Sequence, residues 1–214
     1  AGGTGDPSPV TAHGVYLGIK AATKFATGNE SLNGKKIVVQ GAGHVGQYLI
    51  DSLVKEGAIV SVADINEQNL KTLSAKHKVN IISPDEVFKQ EADIFAPCAL
   101  GAILNTETIR QLKVQVVAGA ANNQLTNEVM HGHQLKDKGI VYAPDFLING
   151  GGVINCYREV HDLSEKETFD LVEKIYDKTL EVLERAKREN GTPQETAITI
   201  AKERIEKEKL KKQK

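Results

Sequence analysis

Tryptophan is absent from this 214-residue chain, and aromatic residues amount to five Phe and five Tyr. That is thin material for the stacking platforms of single-strand nucleic-acid binders. A surplus of one charge is also missing. Lys and Arg number 27 against 28 Asp and Glu, for a net charge of −1, so nothing is in excess to neutralise a phosphate backbone and no nucleic-acid partner is expected. No apolar run approaches the ~20 residues of a membrane span, and no signal peptide is read, so no membrane partner is expected. The two cysteines, Cys98 and Cys156, lie far apart with no metal-ligand spacing. A reduced, cytoplasmic setting is expected from them. Met130 is the only methionine, and the opening Ala1-Gly2-Gly3-Thr4-Gly5 reads as the interior of a longer polypeptide. Internal repeats and low-complexity tracts are lacking.

What is present is an ordinary globular composition and one organised stretch, Lys36 to Asp64. Ile37, Val38 and Val39 form a short β-branched run suited to a strand buried on both faces. Gly41-Ala42-Gly43-His44-Val45-Gly46 follows at once. Val45, Leu49, Ile50, Leu53 and Val54 then recur at helical spacing up to Gly57. A second apolar run, Ile59 to Ala63, ends on Asp64. Strand, glycine turn, helix, strand and acid in this order form the dinucleotide-binding fingerprint. Gly41 permits the tight turn, Gly43 lets a pyrophosphate approach the backbone, and Gly46 lets the helix pack closely on the strand. The helix start offers free N–H groups and its positive dipole end to the phosphates. Asp64 can accept hydrogen bonds from both adenosine ribose hydroxyls and would repel a 2′-phosphate, which favours NAD over NADP. The bland alternative is a glycine turn of another α/β fold, with Asp64 a helix cap.

Before this stretch, Ser8 reads as an N-cap with Pro9 at the first helical position, and an apolar face runs to Phe25 with a stop at Gly28. Thr11 presents its hydroxyl in the first turn, as a second cap or as a ligand contact. Beyond Asp64, helices are expected over 66–77, from Pro84 and over 125–138, the last broken near Gly132, and a helix or turn over 106–112. Strands are expected over 80–82, 93–96, 114–118 and 140–143. The alternation predicts a doubly wound, mostly parallel α/β sheet of about six strands. Loops 41–46, 97–101, 119–124 and 144–152 follow strand ends, so they should line one cleft. Ser164 with Glu167 reads as a capping box opening a long amphipathic helix to Glu189. Gly191-Thr192-Pro193 breaks it, and a charged helix ending in a Lys-rich, solvated stretch follows. The organisation expected is one dinucleotide-binding domain: a leading helix over 1–28, a Rossmann core over 29–160, and C-terminal helices over 161–214.

Asn149-Gly150-Gly151-Gly152 is the second informative stretch. Three glycines let the backbone lie against a flat ring, and the Asn149 amide can pair with a carboxamide, as can Asn123 from the neighbouring loop. A simple turn with Asn149 as a cap is the alternative. Six histidines show no triad spacing. His131-Gly132-His133 reads as surface loop rather than metal site, and no metal is expected. Cys98 reads as a small buried residue, not a nucleophile.

Gly5-Asp6-Pro7-Ser8-Pro9-Val10-Thr11, the turn at 41–46, DIFAPCALG at 93–101 and APDFLINGGGVIN at 143–155 together resemble the Glu/Leu/Phe/Val amino-acid dehydrogenases. The leucine branch is nearest, and the likeness covers nearly the whole chain as the C-terminal, NAD-binding part of such an enzyme. The resemblance implies oxidative deamination of an L-amino acid to the 2-oxo acid, with hydride passed to NAD. On matching positions, Gly41, Gly43 and Gly46, flanked by His44 and Val45, would hold pyrophosphate. Asp64, beside Ile65, would hold the adenosine ribose. Thr11, Asn123 and Asn149 would hold the nicotinamide half, and Cys98, Ala99 and Leu100 would line the cleft. Val153 and Asn123 would meet substrate. The family's catalytic Lys and its Asp partner lie in a domain upstream of Ala1, so this chain alone is expected to bind NAD without turnover, and the whole protein to be a homo-oligomer. Asn122 stands where an apolar residue is expected, Gly150 where Ala is, and Phe146 where Tyr is. Leucine, valine and phenylalanine therefore all stay open as substrates. The rival readings are a non-catalytic NAD-sensing module and another NAD-dependent dehydrogenase, such as a methylene-tetrahydrofolate type.

Overall fold

The computed structural model describes residues 5–212, with side chains through Lys211. Six parallel strands form one sheet: β1 (Lys36–Gln40), β2 (Ile59–Ala63), β3 (Asn80–Ile81), β4 (Ile94–Pro97), β5 (Val116–Val117) and β6 (Val141–Tyr142). Their order is β3-β2-β1-β4-β5-β6. The chain winds outward from β1 to β3, returns to the centre, and winds the other way. The topological switch therefore falls between β1 and β4, where Val39 pairs with Ala96 and Gln40 with Pro97. In such a sheet the crevice beyond the carboxyl ends at the switch is where ligands bind.

The two-residue alternation of a strand sorts the core into two layers. Ile37 and Val39 of β1 face one cluster with Val60, Val62, Ile94, Ala96 and Val116. That layer is roofed by α1 (Ser8–Thr27), α2 (His44–Lys55), α3 (Glu67–Lys76) and α8 (Glu165–Arg188), through Val15, Ile19, Leu49, Leu53, Leu73 and Val172. Val38, Phe95, Val117 and Tyr142 face the opposite cluster. There α4 (Thr106–Gln111), α5 (Glu128–Asp137) and a 3-10 turn at Pro84–Lys89 supply Ile109, Leu135 and Val87. The last helix, α9 (Pro193–Lys212), packs Ala197 and Ile200 on Val182 of α8. From Ala201 through Lys211 every side chain is exposed. The Lys-rich stretch is thus solvated as far as it is described; Gln213 and Lys214, like Ala1 to Thr4, lie outside the described residues.

Several local expectations are corrected. Pro7, not Ser8, precedes the first turn of α1, and Asp6 accepts the Ser8 N–H at 2.9 Å. The element from Pro84 is 3-10 rather than α. The helix around Gly132 is unbroken: α5 runs from Glu128 to Asp137 through it, and a Cβ there would make only ordinary contact with Thr192. Consequently His131 is buried in α5, not on a surface loop, and its Nδ1 accepts the Asn127 N–H at 2.9 Å. His133 pairs with Glu195 at 3.3 Å. Strands β5 and β6 pair over only two residues each, shorter than their apolar runs. The stretch 144–152 is not open loop: α6 (Asp145–Ile148) and α7 (Gly151–His161) start within it. The Ser164–Glu167 capping box occurs as read, while the break falls at 189–192 and Pro193 is already the first residue of α9.

α1 lies close against α6 because Gly18 has no side chain. A Cβ there would stand 2.3 Å from Ile148 Cγ2 and 2.6 Å from Ile148 Cβ. Gly18→Ala is expected to lower stability by about 1–3 kcal/mol through overpacking, read as a fall in thermal midpoint. A midpoint equal to that of the parent would mean that α1 shifts freely on α6.

Candidate functional site

At the end of β1 the chain turns at Gly41 with φ +105, a conformation that strains any L side chain. A Cβ on Gly41 would lie 2.9 Å from both Ala99 Cβ and Ala99 N, so the turn is wedged against the loop after β4. One on Gly46 would lie 2.2 Å from the Gly41 carbonyl oxygen. The first turn of α2 therefore rests directly on the glycine turn. Gly43 differs: a Cβ there would meet nothing within 4 Å. It is the N-cap of α2 and supplies no side-chain cap, whereas Asn66, Asn105, Asn127 and Ser164 cap α3, α4, α5 and α8. Open space over uncapped N–H groups at a positive helix end suits a pyrophosphate. His44 is exposed and Val45 half-buried at this start.

Asp64 follows β2 and does structural work that sequence spacing does not reveal. Its Oδ2 accepts the Ala42 N–H at 2.5 Å, and its Oδ1 accepts the Asn66 N–H at 2.7 Å. It thereby staples the glycine turn to the start of α3, whose N-cap is Asn66. Each carboxylate oxygen keeps a further lone pair, so a ribose hydroxyl fits beside these bonds. Ile65 is 92% exposed next to it.

Across the switch point, the Cys98 N–H donates to the Gln40 carbonyl at 2.7 Å. Burial pushes the Cys98 thiol up to about 12, against one backbone hydrogen bond at Ala120 that lowers it. Ala99 and Leu100 are exposed on the rim. Gly101 abuts the next loop, where a Cβ would lie 2.4 Å from the Asn122 carbonyl oxygen. Asn123 is held at φ +51, in the left-handed region, which Asn tolerates better than most residues. Asn149 Nδ2 donates to the Ala120 carbonyl at 3.2 Å and to Asn122 Oδ1 at 2.7 Å. Beyond it, α7 begins against α1: a Cβ on Gly151 would stand 2.4 Å from the Val10 carbonyl oxygen, and one on Gly152 3.2 Å from Thr11 Oγ1. The Thr11 hydroxyl donates back to the Pro7 carbonyl at 3.0 Å. Val153 is 75% exposed.

The sequence-read residues thus divide into neighbouring sets. Gly41, Gly46, Asp64, Cys98 and Ala99 touch around the turn, and Asn123 and Asn149 stand on facing loops. Thr11 meets the glycines of α7. Two residues that sequence reading passed over hold the facing loops together. Asp145 is 4% exposed and Gln124 fully buried. The one hint to Asp145 is an acid directly after Pro144, where a strand gives way to a helix. Two grooves of about 470 and 630 Å3, lined around Phe25, Leu183 and Lys187 and around Lys24, Leu180 and Arg188, contain none of these residues.

A parallel sheet in the order 3-2-1-4-5-6 with a glycine turn at its switch point defines a doubly wound Rossmann-type domain. The profile of the Glutamate/Leucine/Phenylalanine/Valine dehydrogenase family matches residues 2–67 and 62–212, and the chain belongs to that family. It is 51% identical over 205 residues to leucine dehydrogenase of Thermoactinomyces intermedius, covering 96% of this chain and 56% of that protein. It is 42% identical to phenylalanine dehydrogenase of Bacillus thermotolerans, covering 95% and 54%. The crystal structure of L-tryptophan dehydrogenase from Nostoc punctiforme matches with a TM-score of 0.92 at 41% identity, over 94% of this chain and 61% of that one. The chain spans little more than half the length of the curated relatives it matches.

A thiol held near 12 is almost wholly protonated at neutral pH and is a poor nucleophile. Cys156, on the exposed face of α7, has no such burial. A thiol reagent at pH 8 is expected to label Cys156 promptly and Cys98 only after denaturation, as read by peptide mass mapping. Equal labelling of the two in the folded chain would contradict the raised pKa of the half-buried Cys98 thiol.

Proposed function

We propose that this chain is the cofactor-binding half of an NAD-dependent dehydrogenase that oxidatively deaminates an L-amino acid, with a branched-chain substrate such as leucine favoured. The observation that carries the reading is that acid and anion cradle share one turn: Asp64 accepts the Ala42 N–H at 2.5 Å while the N–H groups beyond Gly43 are left without a side-chain cap. When bound, NAD supplies the hydride acceptor. The turn at Gly41, Gly43 and Gly46, with the N–H groups of His44 and Val45, binds the pyrophosphate. Asp64, with Ile65 beside it, binds the adenosine ribose.

Hydrogen-bond inventory supports distinct roles at the other end. Both amide protons of Asn149 are engaged by Ala120 and Asn122, so its Oδ1 is what it offers a ligand. The Thr11 proton is engaged by Pro7, so that hydroxyl also faces a ligand as an acceptor. Two acceptors suit the N–H groups of a carboxamide. Asn123 keeps both functions and orients ring or substrate, with Cys98, Ala99 and Leu100 as the wall and Val153 toward the substrate side chain. Burial lowers the pKa of Lys138, but its Nζ is engaged by the Ile109 and Arg110 carbonyls, so none of the residues read at this site supplies the lysine of lowered pKa needed to accept a substrate proton. The family's Lys and Asp belong to the half not contained in these residues, so the chain is expected to bind without turnover. The whole protein is read as a cytoplasmic homo-oligomer exchanging an L-amino acid for its 2-oxo acid.

Titration of the chain with NAD and NADP is expected to give the tighter binding with NAD. Loss of a charge-assisted hydrogen bond is worth roughly tenfold or more in affinity, and Asp64→Ala is expected to weaken NAD by that much and narrow the preference over NADP. Absence of NAD binding, or an Asp64→Ala chain with unchanged affinity, would overturn the cofactor assignment. For the whole protein, absorbance of NADH formed with a panel of L-amino acids tests the substrate class.

A further inference from the structure

Asp145 is a carboxylate almost removed from water, which is costly unless both oxygens are satisfied. Its Oδ2 accepts the Gln124 N–H at 2.7 Å and its Oδ1 accepts the Phe146 N–H at 2.6 Å. The first bond reaches the loop after β5, and the second fixes the start of α6, which runs straight into Asn149. Gln124 follows the left-handed Asn123 directly, and its own amide donates to the Gly119 and Ala121 carbonyls, both at 2.9 Å. The loop carrying Asn123 is thus braced from inside by Gln124 and from beneath by Asp145. The side chain of Asn149 crosses to the same loop from the far end of α6. An isosteric Asn at 145 would present an acceptor to only one of the two N–H groups and a donor to the other. The requirement for two acceptors explains why a charge is buried there. Burial pushes this carboxyl above its usual range, against the two N–H bonds that pull it down, so its environment, too, is that of a group held out of water.

We infer that Asp145 is a positioning residue for the nicotinamide end of the cofactor site: one buried carboxylate sets the relative position of the two loops that carry Asn123 and Asn149. It touches no ligand itself. The inference rests on the cofactor reading above and adds that only one end of the cofactor depends on this residue, since the glycine turn and Asp64 belong to other loops.

The test is Asp145→Asn in the 214-residue chain, with NADH and ADP-ribose as separate probes. ADP-ribose carries the adenosine, pyrophosphate and second ribose but no nicotinamide. The variant is expected to bind NADH roughly tenfold more weakly, and the emission of the bound reduced ring is expected to move toward its value in water. ADP-ribose affinity should be unchanged. A thermal melt establishes that the variant is folded; if it is not, Gln124→Leu removes the brace of the same loop from the other side and is expected to give the same split. Equal losses for both probes, or no loss for either, would overturn the positioning role while leaving the cofactor reading intact. A parent chain that binds neither probe would overturn the cofactor reading itself, and this inference with it.

Discussion

Everything on the ligand-side rim depends on how closely α2 approaches the turn that follows β1. The Gly41 carbonyl stands where a Cβ on Gly46 would be, 2.2 Å away, so one methyl group would push the helix off the strand. That contact requires two residues without side chains and, at Gly41, a φ of +105. With the helix seated, its first N–H groups point over the switch between β1 and β4, and its dipole concentrates there. The loop after β4 then closes on Gly41 through Ala99. Had the helix stood farther out, the loops after β2 and β4 would have no common wall.

The second organising force is the use of carboxylates as backbone staples. Asp64 joins the glycine turn to the start of α3, and Asp145 joins the loop after β5 to α6. In each case one side chain accepts two main-chain N–H groups from different segments, which neutral residues do poorly. The two differ in exposure. Asp64 is half-buried and retains room for a hydroxyl, whereas Asp145 is buried and serves only protein. The same chemistry therefore does two jobs: at the rim it can also meet a ligand, and one layer below it can only hold a shape. Asparagines complete the arrangement as the neutral counterparts, with Asn149 bridging Ala120 and Asn122.

The two faces of the sheet are built unequally. On one side α1, α2 and α8 meet over the sheet and share a polar seam, in which Lys20 pairs with Glu56 at 3.1 Å and His13 with Glu173 at 2.6 Å. On the other, short helices and a 3-10 turn cover Val38, Phe95 and Val117. The long elements thus lie on the side where α7 starts against α1, carrying Val153 and Tyr157 exposed to solvent.

How much of this could be read beforehand follows from the range of the forces. The β1–α2–β2 unit, the αL stop at Gly28 and the Ser164 capping box are set by neighbours a few residues apart, and Ile37–Val39, Gly41 and Ser164 declared them without any knowledge of the fold. The sheet class and the gathering of four strand-end loops on one rim also followed, because alternating strands and helices leave few arrangements. Pairing limits were not legible: β5 and β6 pair over two residues each although β4 runs on to Pro97, a limit that the apolar runs at 114–118 and 140–143 do not record. Nor was the burial of His131, which depends on α9 and α4 closing around α5, or the bond that Asp64 accepts from the Ala42 N–H, far off in sequence. Asp145 is the clearest case. Along the chain it is one acid after a proline; its purpose arises only when folding delivers the Gln124 N–H from another loop to a site without water. Local sequence alone determined the elements and the nucleotide-type turn, because those obey short-range rules; tertiary structure alone decided which polar groups would be buried together, because desolvation exists only once distant segments have met.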